Sequence, residues 1–186
     1  MENKEKSDMI INSKDLGIER ILELINRLTD KDHGCPWDQL QTNLSLAKHT
    51  IEEAYEVANS IESQSPRETS EELGDLLFNI LFHIHIGSKN GLFSLNDVID
   101  STVKKMVSRH PHVFGNKNLQ TIDQVNAQWE ELKRVEKSIR PEEGVKQELN
   151  NIADNIPALA HSMKLQNKLA SIGFDWDSSN EIINKI

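Results

Sequence analysis

The residues best suited to chemistry lie in one acidic stretch, Ile51 to Asp75. It reads Glu52-Glu53-Ala54-Tyr55-Glu56, then 15 residues, then Glu72-Leu73-Gly74-Asp75. Glu53 and Glu56 stand three residues apart, as do Glu72 and Asp75, so on helices each pair shares a face. Between the pairs, Ser63-Gln64-Ser65-Pro66 is a turn signal. Two helices folded back about Gln64 set Glu56 opposite Glu72 and Glu53 opposite Asp75, about 12 Å from the turn at a rise of about 1.5 Å per residue. Two carboxylates repel by about 4 kcal/mol at about 4 Å and an effective dielectric of about 20. Four converging carboxylates therefore require a counter-charge, and a divalent cation supplies it most economically.

The competing reading is a solvated acidic face, where like charges cost only a few tenths of a kcal/mol. That suits Glu52, Glu68 and Glu71. It suits Asp75 poorly, because Leu76-Leu77-Phe78 and Ile80-Leu81-Phe82 surround the following helix with apolar groups and predict that it is central and buried. The donors are oxygens, which favours Mg²⁺, with Mn²⁺ able to substitute, over zinc. A di-iron bundle needs Glu-x-x-His, and none of the seven histidines has a glutamate three residues before it. Mg²⁺ held by a few carboxylates serves phosphate chemistry. Cations for such a substrate are at hand in Lys105 and Arg109, four residues apart, and in Lys133, four residues after Trp129. Asn79 continues the stripe of Glu72 and Asp75, where it either reaches a base or sugar or bonds a neighbouring helix. Trp37, in the breaker-rich His33-Gly34-Cys35-Pro36-Trp37-Asp38, either packs as a plug or walls a ligand pocket.

The elements that must position these groups are helices. Ile18, Ile21, Leu22, Ile25 and Leu28 have helical spacing, and further helices are predicted from about Leu44 to Glu62 and from about Arg67 to Lys89. A fourth opens at Ser94-Leu95-Asn96-Asp97 and stops at His110-Pro111-His112, and a fifth opens at the capping box Thr121-Ile122-Asp123-Gln124. The last runs from Pro157 to Ile172. No stretch shows strand alternation, so the expected fold is all-α, an antiparallel helix bundle. Residues 1–14 read as a flexible tail, 15–138 as the working domain, 139–156 as a linker, and 157–186 as a further helical piece.

The formal charge of −9 argues against direct nucleic-acid binding. A single cysteine, Cys35, fits a reducing compartment. No signal segment is expected, and the apolar run Leu76 to Ile86 is too short to cross a membrane. The expectation is a cytoplasmic protein.

Together these strings resemble one family. Glu52-Glu53-x-x-Glu56 with Glu72-x-x-Asp75 is similar to the signature of all-α nucleoside triphosphate pyrophosphohydrolases, specifically MazG. So are Gly34-Cys35-Pro36-Trp37-Asp38-x-x-Gln41-Thr42, Glu72-Leu73-Gly74-Asp75-Leu76-Leu77-Phe78 and Arg109-His110-Pro111-His112-Val113-Phe114. The resemblance spans roughly residues 17–137. It implies that Glu53, Glu56, Glu72 and Asp75 bind Mg²⁺, that Lys105, Arg109, Trp129 and Lys133 contact phosphates and sugar, and that Glu52 supports the ligands from outside. It implies hydrolysis of nucleoside triphosphates to monophosphate and pyrophosphate by a homodimer or larger homo-oligomer. Where the family has two consecutive arginines before His-Pro-His, this chain has Ser108 at the first. Ile172-Gly173-Phe174-Asp175-Trp176 resembles the start of a second, truncated repeat. Two other outcomes fit the same scaffold: a narrow dUTP, dCTP or phosphoribosyl-ATP pyrophosphohydrolase, and a helical interaction module with weak catalysis.

Overall fold

The computed structural model describes residues 2–136 and 157–170, with Leu149, Ile152 and Phe174. The expected linker at 139–156 and the string Ile172 to Trp176 otherwise lie outside the described residues. Described residues form helices and no strands: α1 Glu2–Asn12, α2 Ile18–Leu28, α3 Pro36–Gln39, α4 Asn43–Glu62, α5 Pro66–Lys89, α6 Leu95–Arg109, α7 Pro111–Phe114, α8 Ile122–Glu136 and α9 Ala158–Ala170. They fall into two compact units, residues 1–104 and 105–186. No described helix is long and apolar enough to cross a membrane.

The all-α expectation holds, with two differences in the first unit. Residues 1–14, read as a flexible tail, contain helix α1. Its Asp8 pairs with Arg27, and Arg20 Nε donates to the Ile11 carbonyl at 2.9 Å, so α1 is tied to α2 by polar contacts that apolar periodicity does not register. The second difference concerns α5. Only its C-terminal half is central: Leu81, Phe82 and Ile84 are buried with Ile25 of α2 and Leu46 of α4, flanked by Ile21, Leu22, Phe78, Ile86 and Leu95. Leu73, Leu77 and Ile80 are 49%, 39% and 42% exposed, because α2 reaches only the later turns of α5.

The hairpin forms as its punctuation predicts. Gln64 takes the left-handed conformation at φ 54°, Ser65 N–H donates back to the Ser60 carbonyl at 3.2 Å, and Pro66 opens α5. Thr42 and Ser45 cap α4 reciprocally, at 3.1 and 2.9 Å. The polar stripe on α5 also fastens the two helices. His83 Nδ1 meets Asn43 Oδ1 at 2.9 Å and His83 Nε2 meets Thr50 Oγ1 at 2.8 Å. Burial lowers the His83 pKa, which favours the neutral ring: Nδ1–H then donates to Asn43 while Nε2 accepts from Thr50.

The loop before α4 winds tightly. Asp30 Oδ1 accepts from the backbone N–H groups of Asp32 and His33, at 3.1 and 2.8 Å, and Cys35 N–H donates to the Leu28 carbonyl at 2.8 Å. A Cβ at Gly34 would lie 2.4 Å from the Asp30 carbonyl oxygen and 2.5 Å from that of Leu28. Both obstacles are backbone, so only glycine fits. The positions that begin the later helices follow the sequence signals too: Asp97 Oδ2 accepts from Ser94 N–H at 2.8 Å, and Gln124 N–H donates to Thr121 Oγ1 at 3.3 Å.

Gly34→Ala is expected to lower Tm and to change the fluorescence of Trp37 by forcing this loop open, whereas Phe82→Ala should cost about 3–5 kcal/mol in urea unfolding through loss of core packing. A Gly34→Ala protein with unchanged Tm and emission would contradict the close approach.

Candidate functional site

Helices α4 and α5 bring Glu53, Glu56 and Glu72 together. One carboxylate oxygen from each lies within 4.8 Å of the others. Asp75 joins them electrostatically. Burial, then the charges of Glu56 and Asp75, raise the Glu53 carboxyl pKa; burial, then the same two neighbours, raise that of Glu72. Glu53 and Glu72 are half-buried, while Glu56 and Asp75 are exposed. The exposure of Asp75 corrects the expectation of a group sunk in a buried helix. Its turn of α5 lies outside the core described above, so an aqueous ligand has access to it. Among the described residues nothing basic is paired with these four carboxylates, and the donor set is all hard oxygen. That fits Mg²⁺ or Mn²⁺.

A second acidic group, Asp30, Asp32 and His33, also lies within 4.8 Å, but all three residues are exposed. The backbone N–H groups of His33 and Asp32 hold Asp30 ionised and lower its pKa, so the turn itself accounts for the cluster.

Trp37 is 53% exposed, which excludes the plug. Its ring stands edge-on to His49 with centroids 5.9 Å apart. The two wall a cleft of about 560 Å³ with Gln41, Leu44, Ser45 and Lys48. His49 precedes Glu53 by one helical turn, so cleft and carboxylates share a face of α4. Sequence reasoning overlooked Lys48, and Gln41 appeared only as part of a string. Asn79 is 7% exposed, which suits packing better than ligand contact.

The remaining sequence-predicted contacts belong to the second unit. Arg109 Nε and Nη2 donate to Glu136 Oε2 at 3.0 and 2.5 Å. The guanidinium carbon lies 5.3 Å from the centroid of the Trp129 ring, and His110 stands edge-on to that ring at 5.0 Å. Ser108, at the position where the resemblance leads one to expect an arginine, donates to Glu136 Oε1 at 3.2 Å. Lys105 lowers the Glu136 pKa after the larger effect of Arg109. Lys133 pairs with Glu130 at 2.7 Å. Sequence reasoning missed Glu136; the signal lay in an acid seven residues after Trp129, two helical turns along the same face.

The model of the MazG nucleotide pyrophosphohydrolase domain matches residues 41–114. A nucleoside triphosphate pyrophosphohydrolase of Escherichia coli K12 is 35% identical over 169 residues, covering 91% of this chain and 63% of that protein. The nucleoside triphosphate pyrophosphohydrolase/pyrophosphatase MazG of Thermotoga maritima is 34% identical over 175 residues, covering 93% of this chain and 65% of that protein. The chain thus spans less than two thirds of the length of these relatives. The crystal structure of a mazG-related protein from Thermotoga maritima aligns with a TM-score of 0.54 and 27% identity, over 62% of this chain and 98% of that one.

The electrostatics carry a sign that can be measured. A carboxyl whose pKa is raised by folding binds its proton more tightly in the folded state, so its contribution to stability is present at low pH and lost as pH rises through the folded pKa. Burial of His83 acts in the opposite sense below about pH 6.5, so the sign is read from a difference between two proteins. In chelator-treated protein, Glu72→Gln should have a higher Tm than wild type at neutral pH, and the gap should close as pH falls toward the ordinary carboxyl range near about 4. A lower Tm for Glu72→Gln would show that the carboxylates are not in conflict.

Proposed function

Because this chain carries a MazG nucleotide pyrophosphohydrolase domain, we propose that it hydrolyses nucleoside triphosphates to monophosphate and pyrophosphate with Mg²⁺ as cofactor. The observation that carries this reading is the meeting of Glu53, Glu56 and Glu72 within 4.8 Å on one hairpin. A divalent cation held there supplies positive charge for the phosphates and acidifies water. Glu53, Glu56 and Glu72 would hold it, and Asp75 would add charge beside them.

In the reaction a water oxygen bonds to the α-phosphorus, the bond from that phosphorus to the α–β bridging oxygen breaks, and pyrophosphate leaves. Glu53 or Glu56 orients the water and takes its proton. Trp37 stacks on the base at the mouth of its cleft. Lys105, Arg109 and Lys133 bind the triphosphate and stabilise charge developing on the leaving group, with Trp129 against the sugar. The exposed apolar groups Ile51, Tyr55, Leu73, Leu77 and Ile80 suit burial against a second copy of the chain, in keeping with a homo-oligomer acting in the cytoplasm.

The test is product analysis on a panel of nucleotides: pyrophosphate is expected in equal amount to the monophosphate, and orthophosphate alone would refute the reaction. Glu56→Ala and Asp75→Ala should each reduce Mg²⁺-dependent turnover at least about 100-fold, the scale of losing one electrostatic catalytic group, with helical content by circular dichroism unchanged. Full activity in either variant would remove that residue from the site.

A further inference from the structure

Arg109 is one of the sequence's candidates for a phosphate contact, yet one edge of its guanidinium is already taken. Glu136 receives Nε at 3.0 Å and Nη2 at 2.5 Å, Ser108 steadies the same carboxylate at 3.2 Å, and Trp129 covers the guanidinium plane at 5.3 Å. The Arg109 side chain is only 14% exposed. A guanidinium has five N–H donors in a rigid fork. Here the two on Nη1 have no partner among the described residues. Three side chains from α6 and α8 therefore fix the plane and direction of the cation and leave one end open.

We propose that Glu136 is a positioning residue for substrate binding: by occupying the Nε and Nη2 edge of Arg109 against Trp129, it reserves the Nη1 end for a phosphate oxygen. This rests on the reading above that Arg109 contacts the triphosphate. A fixed fork loses less freedom on meeting its anion than a mobile one. Lys105 is close enough to lower the Glu136 pKa after the larger effect of Arg109. The opposite role, in which Glu136 competes with the phosphate for Arg109, makes the reverse prediction.

The experiment measures binding of a non-hydrolysable nucleoside triphosphate with Mg²⁺ by calorimetry, and KM and kcat by pyrophosphate release. It uses the full chain, E136A, E136Q, R109A and the double variant. E136A should raise Kd and KM about fivefold or more and lower kcat as well, as expected for loss of a charge-assisted pair that orients a group acting both on bound phosphate and on the leaving group. E136Q keeps an acceptor oxygen and should show a smaller rise while retaining the wild-type Tm. In the R109A background, E136A should add nothing. Unchanged or tighter binding in both Glu136 variants, or a full additional loss in the double variant, overturns the proposal. R109A with wild-type Kd and KM instead overturns the reading on which it rests. The Mg²⁺-induced rise in Tm should be the same in E136A as in wild type; its loss would show a general structural defect and contradict a local positioning role.

Discussion

Three carboxylates that meet within 4.8 Å on two antiparallel helices push those helices apart, so the hairpin must be held together elsewhere. The fastening is at its far end. There Leu46 packs with Leu81, Phe82 and Ile84 beneath Ile25 of α2, and His83 joins α5 to Asn43 and Thr50 of α4. Burying a few large apolar side chains is worth about 1.5–3 kcal/mol each, which exceeds the repulsion between partly solvated acids. The left-handed residue Gln64 closes the other end. Between these two anchors the first turns of α5 lie outside the core, which gives the acidic pairs access to water and ions. Stability and chemistry thus occupy different segments of the same pair of helices.

That division explains what could be read in advance. The turn at Gln64, the facing of Glu53 and Glu56 with Glu72 and Asp75, and the openings of α6 and α8 follow from local spacing and hydrogen-bond chemistry, which a linear sequence displays. The Thr42–Ser45 cap escaped because serine replaces the usual glutamate of a capping box. Helix α1 escaped because its attachment is an ion pair and a backbone contact rather than an apolar stripe. The burial expected for all of α5 was too broad. Hydropathy shows that a helix has an apolar face, but not how many turns of it a neighbour in the same chain will cover.

The second unit shows the limit from another side. Arg109 and Trp129 could each be singled out as chemistry-bearing, and they stand together as cation over ring. Glu136 could not, because an acid late in a helix is ordinarily a solvated charge. Its partnership with Arg109 and Ser108 is a tertiary fact. Ser108, which looked like a missing cation, turns out to brace the anion that holds the remaining one.

The central claim is that the α4–α5 hairpin is a divalent-cation site, and anomalous scattering from crystals grown with Mn²⁺ tests it most directly. The expected result is a manganese peak bonded by carboxylate oxygens of Glu53, Glu56 and Glu72, with Asp75 beside it. A peak bonded only elsewhere, such as by Asp30 and His33, with the hairpin acids bound to no metal, would contradict the account.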